Sequence, residues 1–149
     1  MQSDAMSDRT DQPEVDAFTR TYWKAAGQGL LLLRRCAACG RVHHYPREFC
    51  PYCWSEDVSW EEASGRAVLY TWSVVHANDL PPFRDRLPYV AAVVDLAEGP
   101  RVMTGLVDCD PAELWIGMAL RVTFPTAVSF NEDEPTPFTV PVFGPADRW

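Results

Sequence analysis

The sequence has little basic charge: one lysine, Lys24, occurs among 13 basic residues, against 21 acidic ones. The formal net charge is −8 and the isoelectric point is near 4.7. Because affinity for a phosphate backbone depends on clustered Lys and Arg side chains, this balance disfavours nucleic acid as a partner. A cationic contact with any ligand would come mainly from the planar guanidinium of an arginine.

Long apolar stretches are also missing. A membrane-spanning helix needs about 18 or more consecutive apolar residues, and the four leucines at residues 30–33 are followed at once by Arg34 and Arg35. The N-terminal residues do not have the pattern of a signal peptide. The hydrophobic content of 47% is nevertheless enough for a core. We therefore predict a cytoplasmic protein without a membrane span, built from a small module and one compact domain.

Four of the five cysteines form two Cys-x-x-Cys pairs, Cys36 with Cys39 and Cys50 with Cys53. Zn(II) accepts four thiolates tetrahedrally, and a gap of two residues lets one tight turn direct both sulfurs of a pair at the metal. Gly40 can supply the positive φ that such a turn requires. The ten residues between the pairs leave room for one hairpin. The spacing predicts a zinc ribbon in which these four cysteines hold one structural zinc ion.

Three other interpretations of the cysteines compete with zinc. Residues 50–53 read Cys-Pro-Tyr-Cys, as in the active site of glutaredoxins, but such a redox pair opens a long helix and residues 58–62 have the pattern of a strand. A disulfide framework suits a secreted protein. His43 or His44 could add a ligand, yet four cysteines already close a structural site. We expect both histidines to be ordinary hairpin residues.

The N-terminal part divides into two segments. Residues 1–12 are polar and lack periodicity, which predicts a disordered leader. Residues 13–29 predict an amphipathic helix that ends in glycines. Its apolar positions follow helical spacing: Val15, Phe18, Tyr22 and Ala26. This stripe either packs against the core or forms a partner-binding face that Trp23 would widen.

After the zinc ribbon, assigned to residues 30–62, the sequence changes to β-rich runs separated by Gly and Pro. Strands are predicted at residues 66–76, 89–96, 101–107 and 120–128. A helix-capable segment at residues 111–115 separates the third strand from the fourth. The chain is therefore predicted to be mainly β, with a five-stranded OB-fold barrel over residues 63–128. Residues 79–88, with three prolines, would form a long loop over one face of the barrel.

The last segment, residues 129–149, alternates prolines with apolar residues that include Phe138 and Phe143. Proline fixes extended geometry, so aromatic side chains on this tail could dock into a groove of this protein or of another. The same pattern also fits a final edge strand, which would complete the barrel. The sequence leaves both interpretations open.

Several strings occur in an order that is similar to a known family. They include Arg35-Cys36-x-x-Cys39-Gly40, Tyr45-Pro46-Arg47, Cys50-Pro51-x-Cys53, Ser64-Gly65, Pro88-Tyr89-Val90-Ala91, Gly117-Met118-x-Leu120 and Phe143-x-Pro145. Together they resemble the zinc-ribbon plus OB-fold proteins, formerly a domain of unknown function, that accompany thiolase-superfamily enzymes. The resemblance spans nearly the whole chain.

The resemblance implies a non-catalytic accessory or scaffold subunit. Such a subunit would bind a thiolase-superfamily enzyme in a hetero-oligomer: an acyl-CoA acetyltransferase, a condensing enzyme or a retro-aldolase. It would help to form the coenzyme A channel, and a coenzyme A thioester would be shared with the partner. The residues themselves agree, because Cys109 lies between Asp108 and Asp110, whose charges raise a thiol pKa. His76 has no Ser or Cys beside it in sequence to activate.

Contacts with the ligand or the partner are predicted on the helix, the end of the first barrel strand, the loop and the tail. The residues are Trp23, Trp72, His76, Arg84, Arg86, Phe138 and Phe143. An arginine fork on the loop would suit a phosphate of coenzyme A.

The alternative function is that of a single-stranded nucleic-acid-binding OB-fold protein, because aromatic residues on barrel strands can stack on bases. The acidic net charge counts against it. An independent hydrolase or transferase would show acyl-CoA turnover by the isolated chain, and we expect none.

Overall fold

The computed structural model describes residues 13–80, 83–130 and 135–146, with the side chains of residues 126–138 excepted. The predicted leader, residues 1–12, lies outside this range. In the described part, one α-helix, α1, is followed by ten strands and two 3-10 turns. The strands are β1 (Leu32–Cys36), β2 (Val42–His43), β3 (Val58–Glu62), β4 (Arg66–Val75), β5 (Tyr89–Leu96), β6 (Arg101–Leu106), β7 (Ala119–Thr123), β8 (Thr126–Phe130), β9 (Pro135–Thr139) and β10 (Val142–Pro145). No helix within the described ranges is long and apolar enough to cross a membrane.

Helix α1 (Arg20–Gly27) occupies the second half of the predicted helical segment. The Asp16 carboxylate accepts hydrogen bonds from the backbone N–H groups of Phe18 (2.9 Å) and Thr19 (2.7 Å), which holds the preceding residues in a turn. Val15, placed on the predicted apolar stripe, is consequently 49% exposed. Tyr22 is buried and packs into the core.

Strands β2, β1 and β3 form a three-stranded antiparallel sheet, the zinc ribbon, with β1 in the centre. Arg34 on β1 stands opposite His43 on β2 and Trp60 on β3. Leu33, its neighbour on β1, is fully buried, so the opposite face of this strand points into the core. The pairing of Leu32 with Glu62 brings the two ends of the ribbon side by side.

The remaining main strands close into a barrel in the order β10-β6-β5-β4-β7. Burial alternates along β5, as expected for a strand with one face in a core. The buried side chains of the ribbon, of α1 and of the barrel form one hydrophobic cluster. The predicted fold class, mainly β with a zinc ribbon and a five-stranded OB-fold barrel, is confirmed.

The fifth barrel strand comes from the predicted tail. Strand β10 pairs antiparallel with β7 and parallel with β6, where Phe143 stands opposite Leu106. Of the two interpretations of the tail, this part forms a final strand of the barrel.

The predicted strand over residues 120–128 was wrong in extent. Strand β7 ends at Thr123, and β8 starts at Thr126 and pairs with β9 in a separate hairpin. Pro125 lies between the two strands and lacks the N–H group that a continuous ladder would use. The helix-capable segment forms a single 3-10 turn, Pro111–Glu113, capped by the Asp110 side chain.

Gly65, just before the first barrel strand, packs closely against strand β7. Its φ is +83°, and a Cβ atom placed there would lie 2.7 Å from Val122 Cγ1. We expect Gly65→Ala to lower the free energy of unfolding by about 2 to 4 kcal/mol, because backbone strain and overpacking add. Urea denaturation checks this. The matched control is Gly27→Ala, where no atom lies within 4 Å and helix propensity predicts a gain of up to about 1 kcal/mol. Equal stability of the two variants would contradict the view that the backbone and packing at position 65 require glycine.

Candidate metal centre and its surroundings

The structure brings the sulfur atoms of Cys36, Cys39, Cys50 and Cys53 within 4.8 Å of one another. The Sγ atoms of Cys36 and Cys53 are 3.6 Å apart, and so are those of Cys39 and Cys50. Four sulfurs at 2.3 Å from a tetrahedral zinc ion would be separated by about 3.8 Å. The cluster therefore has the size of a four-thiolate zinc site.

Two turns with the same backbone hydrogen bonds hold the ligands. In the first, the Gly40 N–H donates to the Cys36 carbonyl at 2.9 Å; in the second, the Trp54 N–H donates to the Cys50 carbonyl, also at 2.9 Å. The residue in the fifth position has a positive φ in both turns, +76° at Gly40 and +68° at Trp54. We call these turns the first and second knuckles. The sequence predicted this geometry for Gly40, and Trp54 adopts it without being glycine.

The chemistry of the donors also fits zinc. The Cys39 backbone N–H donates to Cys36 Sγ at 3.5 Å. This bond has the largest effect on the pKa of Cys36, which it lowers to about 7 together with the hydrogen bonds from the neighbouring thiols and the Ala38 N–H. In the second turn, the Tyr52 N–H donates to Cys50 Sγ at 3.4 Å. None of the five cysteines, all of which lie in the described ranges, forms a disulfide. The ligand group contains no histidine, in agreement with the four-cysteine prediction.

Arg34, on the central ribbon strand, is a buried cation that the sequence did not single out. It is 7% exposed, and its guanidinium lies 5.1 Å from the ring centre of Phe18 and 4.6 Å from that of Trp60. Arg34 Nε also donates to the Arg47 carbonyl at 3.2 Å. These contacts join the segment before α1, two ribbon strands and the loop after β2 around one side chain.

Helix α1 and the ribbon hairpin meet in an aromatic cluster, the helix–hairpin junction, made of Tyr22, Trp23, His44 and Tyr45. The Tyr22 hydroxyl lies 2.9 Å from His44 Nε2, and Trp23 Nε1 donates to the Tyr45 hydroxyl at 2.9 Å. Burial raises the pKa of Tyr22, so its hydroxyl keeps the proton that it can donate to the neutral imidazole. Burial lowers the pKa of His44 to about 4.

A cavity of about 150 Å³ separates the helix–hairpin junction from the barrel. Its walls are mostly apolar and include Trp23, Tyr45, Met103, Thr104, Val140 and Phe143. Met103 is 83% exposed at the outer side. Three parts of the fold thus enclose space for one small apolar group.

Four of the predicted contact residues lie at the end of β4 or in the loop that follows it. Trp72 and His76 lie at the end of β4, where Trp72 is half-buried against the core and His76 is exposed. Arg84 and Arg86 lie in the exposed 3-10 turn between β4 and β5. Tyr89 anchors this loop, because its hydroxyl accepts a hydrogen bond from Asn78 Nδ2 at 3.1 Å.

The other predicted contact residues lie near the cavity or outside the described side chains. Trp23 is half-buried in the helix–hairpin junction. Phe143 is only 2% exposed inside the barrel, so its side chain packs the core and does not face a partner. Phe138 belongs to β9, but its side chain lies outside the described part.

Cys109 has the raised pKa that the sequence predicts, although it is only partly buried. It packs against the core at intermediate exposure. Burial raises the pKa of its thiol, and the charges of Asp108 and Asp110 raise it further. A raised pKa keeps the thiol protonated, which is the unreactive form.

Comparison with known proteins agrees with this architecture. The rubredoxin-like zinc ribbon domain of ChsH2 matches residues 23–59, and the C-terminal OB-fold domain of ChsH2 matches residues 60–125. A probable enoyl-CoA hydratase alpha subunit of Thermomonospora curvata is 37% identical over 135 residues, which are 91% of this chain and 40% of that protein. A DUF35 domain-containing scaffold protein of Methanocaldococcus jannaschii is 40% identical over 92 residues, 60% of this chain and 64% of that protein.

A solved structure named Ltp2-ChsH2(DUF35) aldolase aligns with a TM-score of 0.74 and 35% identity, covering 90% of this chain and 98% of that chain. The chain spans 40% and 64% of the lengths of the two curated relatives. Both halves of the fold, in the same order, are matched by these domains and by this structure. The chain therefore belongs to the DUF35 family of proteins that combine a ChsH2-type zinc ribbon with an OB-fold domain.

Proposed function

We propose that this protein is a non-catalytic accessory subunit that binds a thiolase-superfamily enzyme and helps to form its coenzyme A channel. The enzyme would be an acyl-CoA acetyltransferase, a condensing enzyme or a retro-aldolase, assembled with this chain in a hetero-oligomer. One observation carries the proposal. This protein is similar to almost the whole length of a DUF35 chain in a solved structure whose name joins two proteins and describes them as an aldolase. The names of the relatives, a scaffold protein and a probable enoyl-CoA hydratase alpha subunit, support the same role.

The arrangement of the cysteines supports a structural role. Four thiolates complete the coordination of a zinc ion and leave no position for a substrate or a water molecule. Bound zinc would hold the two knuckles together and supply folding energy. The remaining thiol, Cys109, has a raised pKa and is poorly suited to nucleophilic attack. Cysteines kept as thiolate ligands are in keeping with a reducing compartment such as the cytoplasm.

The loop that follows β4 is our proposed contact with coenzyme A. Arg84 and Arg86 are exposed on its 3-10 turn, and His76, which directly follows β4, is exposed as well. Guanidinium groups bind phosphate in a bidentate manner, and coenzyme A carries several phosphate groups. The enzyme subunit would supply the reacting groups, and the thioester would lie between the two proteins.

The charge on the barrel face supports a protein partner over nucleic acid. Arg101, exposed on β6, pairs with Asp95 through Nε at 2.7 Å, and its guanidinium lies 3.6 Å from the ring centre of Tyr70. The cation is therefore already neutralised beside the aromatic ring that could stack on a base. Single-strand binding requires stacking rings within a positively charged groove.

We expect a tagged copy of the full chain, expressed in its natural host, to co-purify with a thiolase-superfamily enzyme. Mass spectrometry identifies the enzyme, and size-exclusion chromatography with light scattering gives the stoichiometry. The purified chain alone should not turn over acyl-CoA, whereas the complex should. The tag expressed by itself is the control. Acyl-CoA turnover by the isolated chain, or recovery of no thiolase-like enzyme, would contradict the proposal.

A further inference from the structure

The two knuckles of the metal site differ in one informative position. They share their backbone hydrogen bonds, and the fifth residue of each has a positive φ. Gly40 meets this requirement without strain in the first knuckle, whereas Trp54 meets it in the second with a large side chain. L residues with a Cβ atom rarely adopt this conformation. Glycine at position 54 would adopt this backbone conformation with less strain. The presence of tryptophan there therefore needs an explanation other than the fold.

The surroundings of Trp54 give the fold little reason to keep it. Its ring stacks on Phe49, with the ring centres 5.3 Å apart and the planes at 14°, but 73% of the residue stays exposed. Tyr52, two residues earlier, is 51% exposed, and the guanidinium of Arg41 lies 4.9 Å from its ring centre. We call these four residues the aromatic shelf. Arg41 directly follows the first knuckle, and Tyr52 and Trp54 belong to the second, so bound zinc would fix the shelf as a rigid unit.

We propose that the aromatic shelf is an anchor for the partner enzyme, fitting an apolar patch with an acidic side chain at its edge. This inference rests on the proposed function and names the surface that performs it. Trp, Tyr and Arg are the residue types enriched where binding energy concentrates in protein interfaces. A flat, exposed ring held on a rigid turn also loses little conformational freedom when a partner covers it. Arg41 supplies the positive charge that would complement an acidic edge.

The charges near the shelf favour a protein over nucleic acid. Glu48, Glu56 and Asp57 are exposed on the same module, and a zinc ion with four thiolates carries a net charge of about −2. These acidic groups disfavour a phosphate backbone, which carries negative charge along its whole length, whereas Arg41 has to meet only one acidic side chain of a protein partner.

The test uses Trp54→Gly in the full chain, because glycine suits the backbone at this position. The probe is the enzyme subunit recovered with the tagged wild-type chain, purified separately, and biolayer interferometry measures its Kd. We expect the variant to keep its zinc and to melt within about 3 °C of the wild type, while the Kd rises by about tenfold or more. Trp54→Phe, which keeps a ring, should lose much less affinity.

The matched control is Ile116→Ser, which removes an apolar side chain of similar exposure, 72%, from the turn before β7. We expect its Kd to stay within about threefold of the wild-type value. Unchanged affinity in Trp54→Gly, an equal loss in Ile116→Ser, or loss of zinc from Trp54→Gly would each overturn the proposal. So would wild-type binding to a dT20 oligonucleotide that Trp54→Gly abolishes. If the wild-type chain binds no thiolase-like enzyme, the proposed function itself fails, which is a distinguishable result.

Discussion

Replacing Cys36 with serine is expected to release zinc, unfold the ribbon and abolish complex formation, with no catalytic group removed. Cys36 is fully buried, and its sulfur lies 3.6 Å from that of Cys53. Zinc binding contributes on the order of 10 kcal/mol to the folding of small four-ligand modules, so loss of one thiolate should cost more than the ribbon sheet can supply. Leu31 and Leu33 share one hydrophobic cluster with the barrel, so we expect the barrel to be destabilised as well.

Three measurements check the Cys36→Ser prediction. Atomic absorption should show about one zinc ion per wild-type chain and close to none in the variant. Hydrogen exchange should show loss of protection in β1 and β3, and pull-down should recover no enzyme. Cys109→Ser is the control, since this thiol lies outside the ligand group and its replacement should leave zinc content and assembly unchanged. A Cys36→Ser chain that still bound the enzyme with full affinity would show that the zinc module is dispensable.

Acidification from pH 6.5 to pH 4 is expected to destabilise the protein by about 3 kcal/mol through His44 alone. Burial, and then the neighbouring His43, lower the pKa of His44 from 6.5 to about 4. Above pH 6.5 the histidine is neutral in both the folded and the unfolded chain, so its burial carries no proton penalty. Between pH 6.5 and 4 the unfolded chain binds a proton that the folded chain does not, so stability falls as the pH falls.

Burial and the neighbouring His43 oppose the protonation of His44. Tyr22 and Tyr45 surround the ring, and the pKa of Tyr22 is raised, so its hydroxyl stays neutral. His43 also makes the protein less stable as the pH falls, because its own pKa is lowered. Burial and the charge of Arg34 lower the pKa of His43, against a smaller opposing effect of the Arg47 carbonyl. No carboxylate contributes to the pKa shift of His44.

The measurement is urea denaturation of the wild type and of His44→Gln at half-unit steps from pH 7 to pH 4. Glutamine can still hydrogen-bond with the Tyr22 hydroxyl but does not titrate in this range. The wild type should lose about 3 kcal/mol more than the variant over this interval. Competition between protons and zinc for the thiolates affects both proteins and cancels in the difference. Parallel pH profiles would show that the environment of His44 does not favour its neutral form.

The elements that the sequence predicted best are those with a strict local pattern. Two equal Cys-x-x-Cys spacings placed four sulfurs together because each turn involves only a few residues. Strand β5 was predicted with its observed bounds, since it is a β-rich run broken only by Asp95 and lies between Pro88 and the turn residues Gly99 and Pro100. The position of β10 depends on pairing with β6 and β7, which are distant in sequence, and Phe143 therefore resembled an exposed tail residue.

Two features of the site could not be read from residue types. Arg34 resembles a solvated strand residue in the sequence, and its burial is made favourable by its contacts with the rings of Phe18 and Trp60 and by its hydrogen bond to the Arg47 carbonyl. Trp54 gives no local signal for a positive φ, since aromatic residues seldom adopt one. Comparing the fifth residue of the two Cys-x-x-Cys turns could have found it, because equal spacing implies equal backbone geometry.

Strand β3 has a practical consequence for recombining members of this family. The two matched domains meet between residues 59 and 60, yet β3 runs from Val58 to Glu62 and pairs along its whole length with β1. A crossover at the domain boundary would split this strand between parents. Chimeras should instead be joined at residues 63–65, where the chain leaves the ribbon sheet and turns at Gly65 into the barrel.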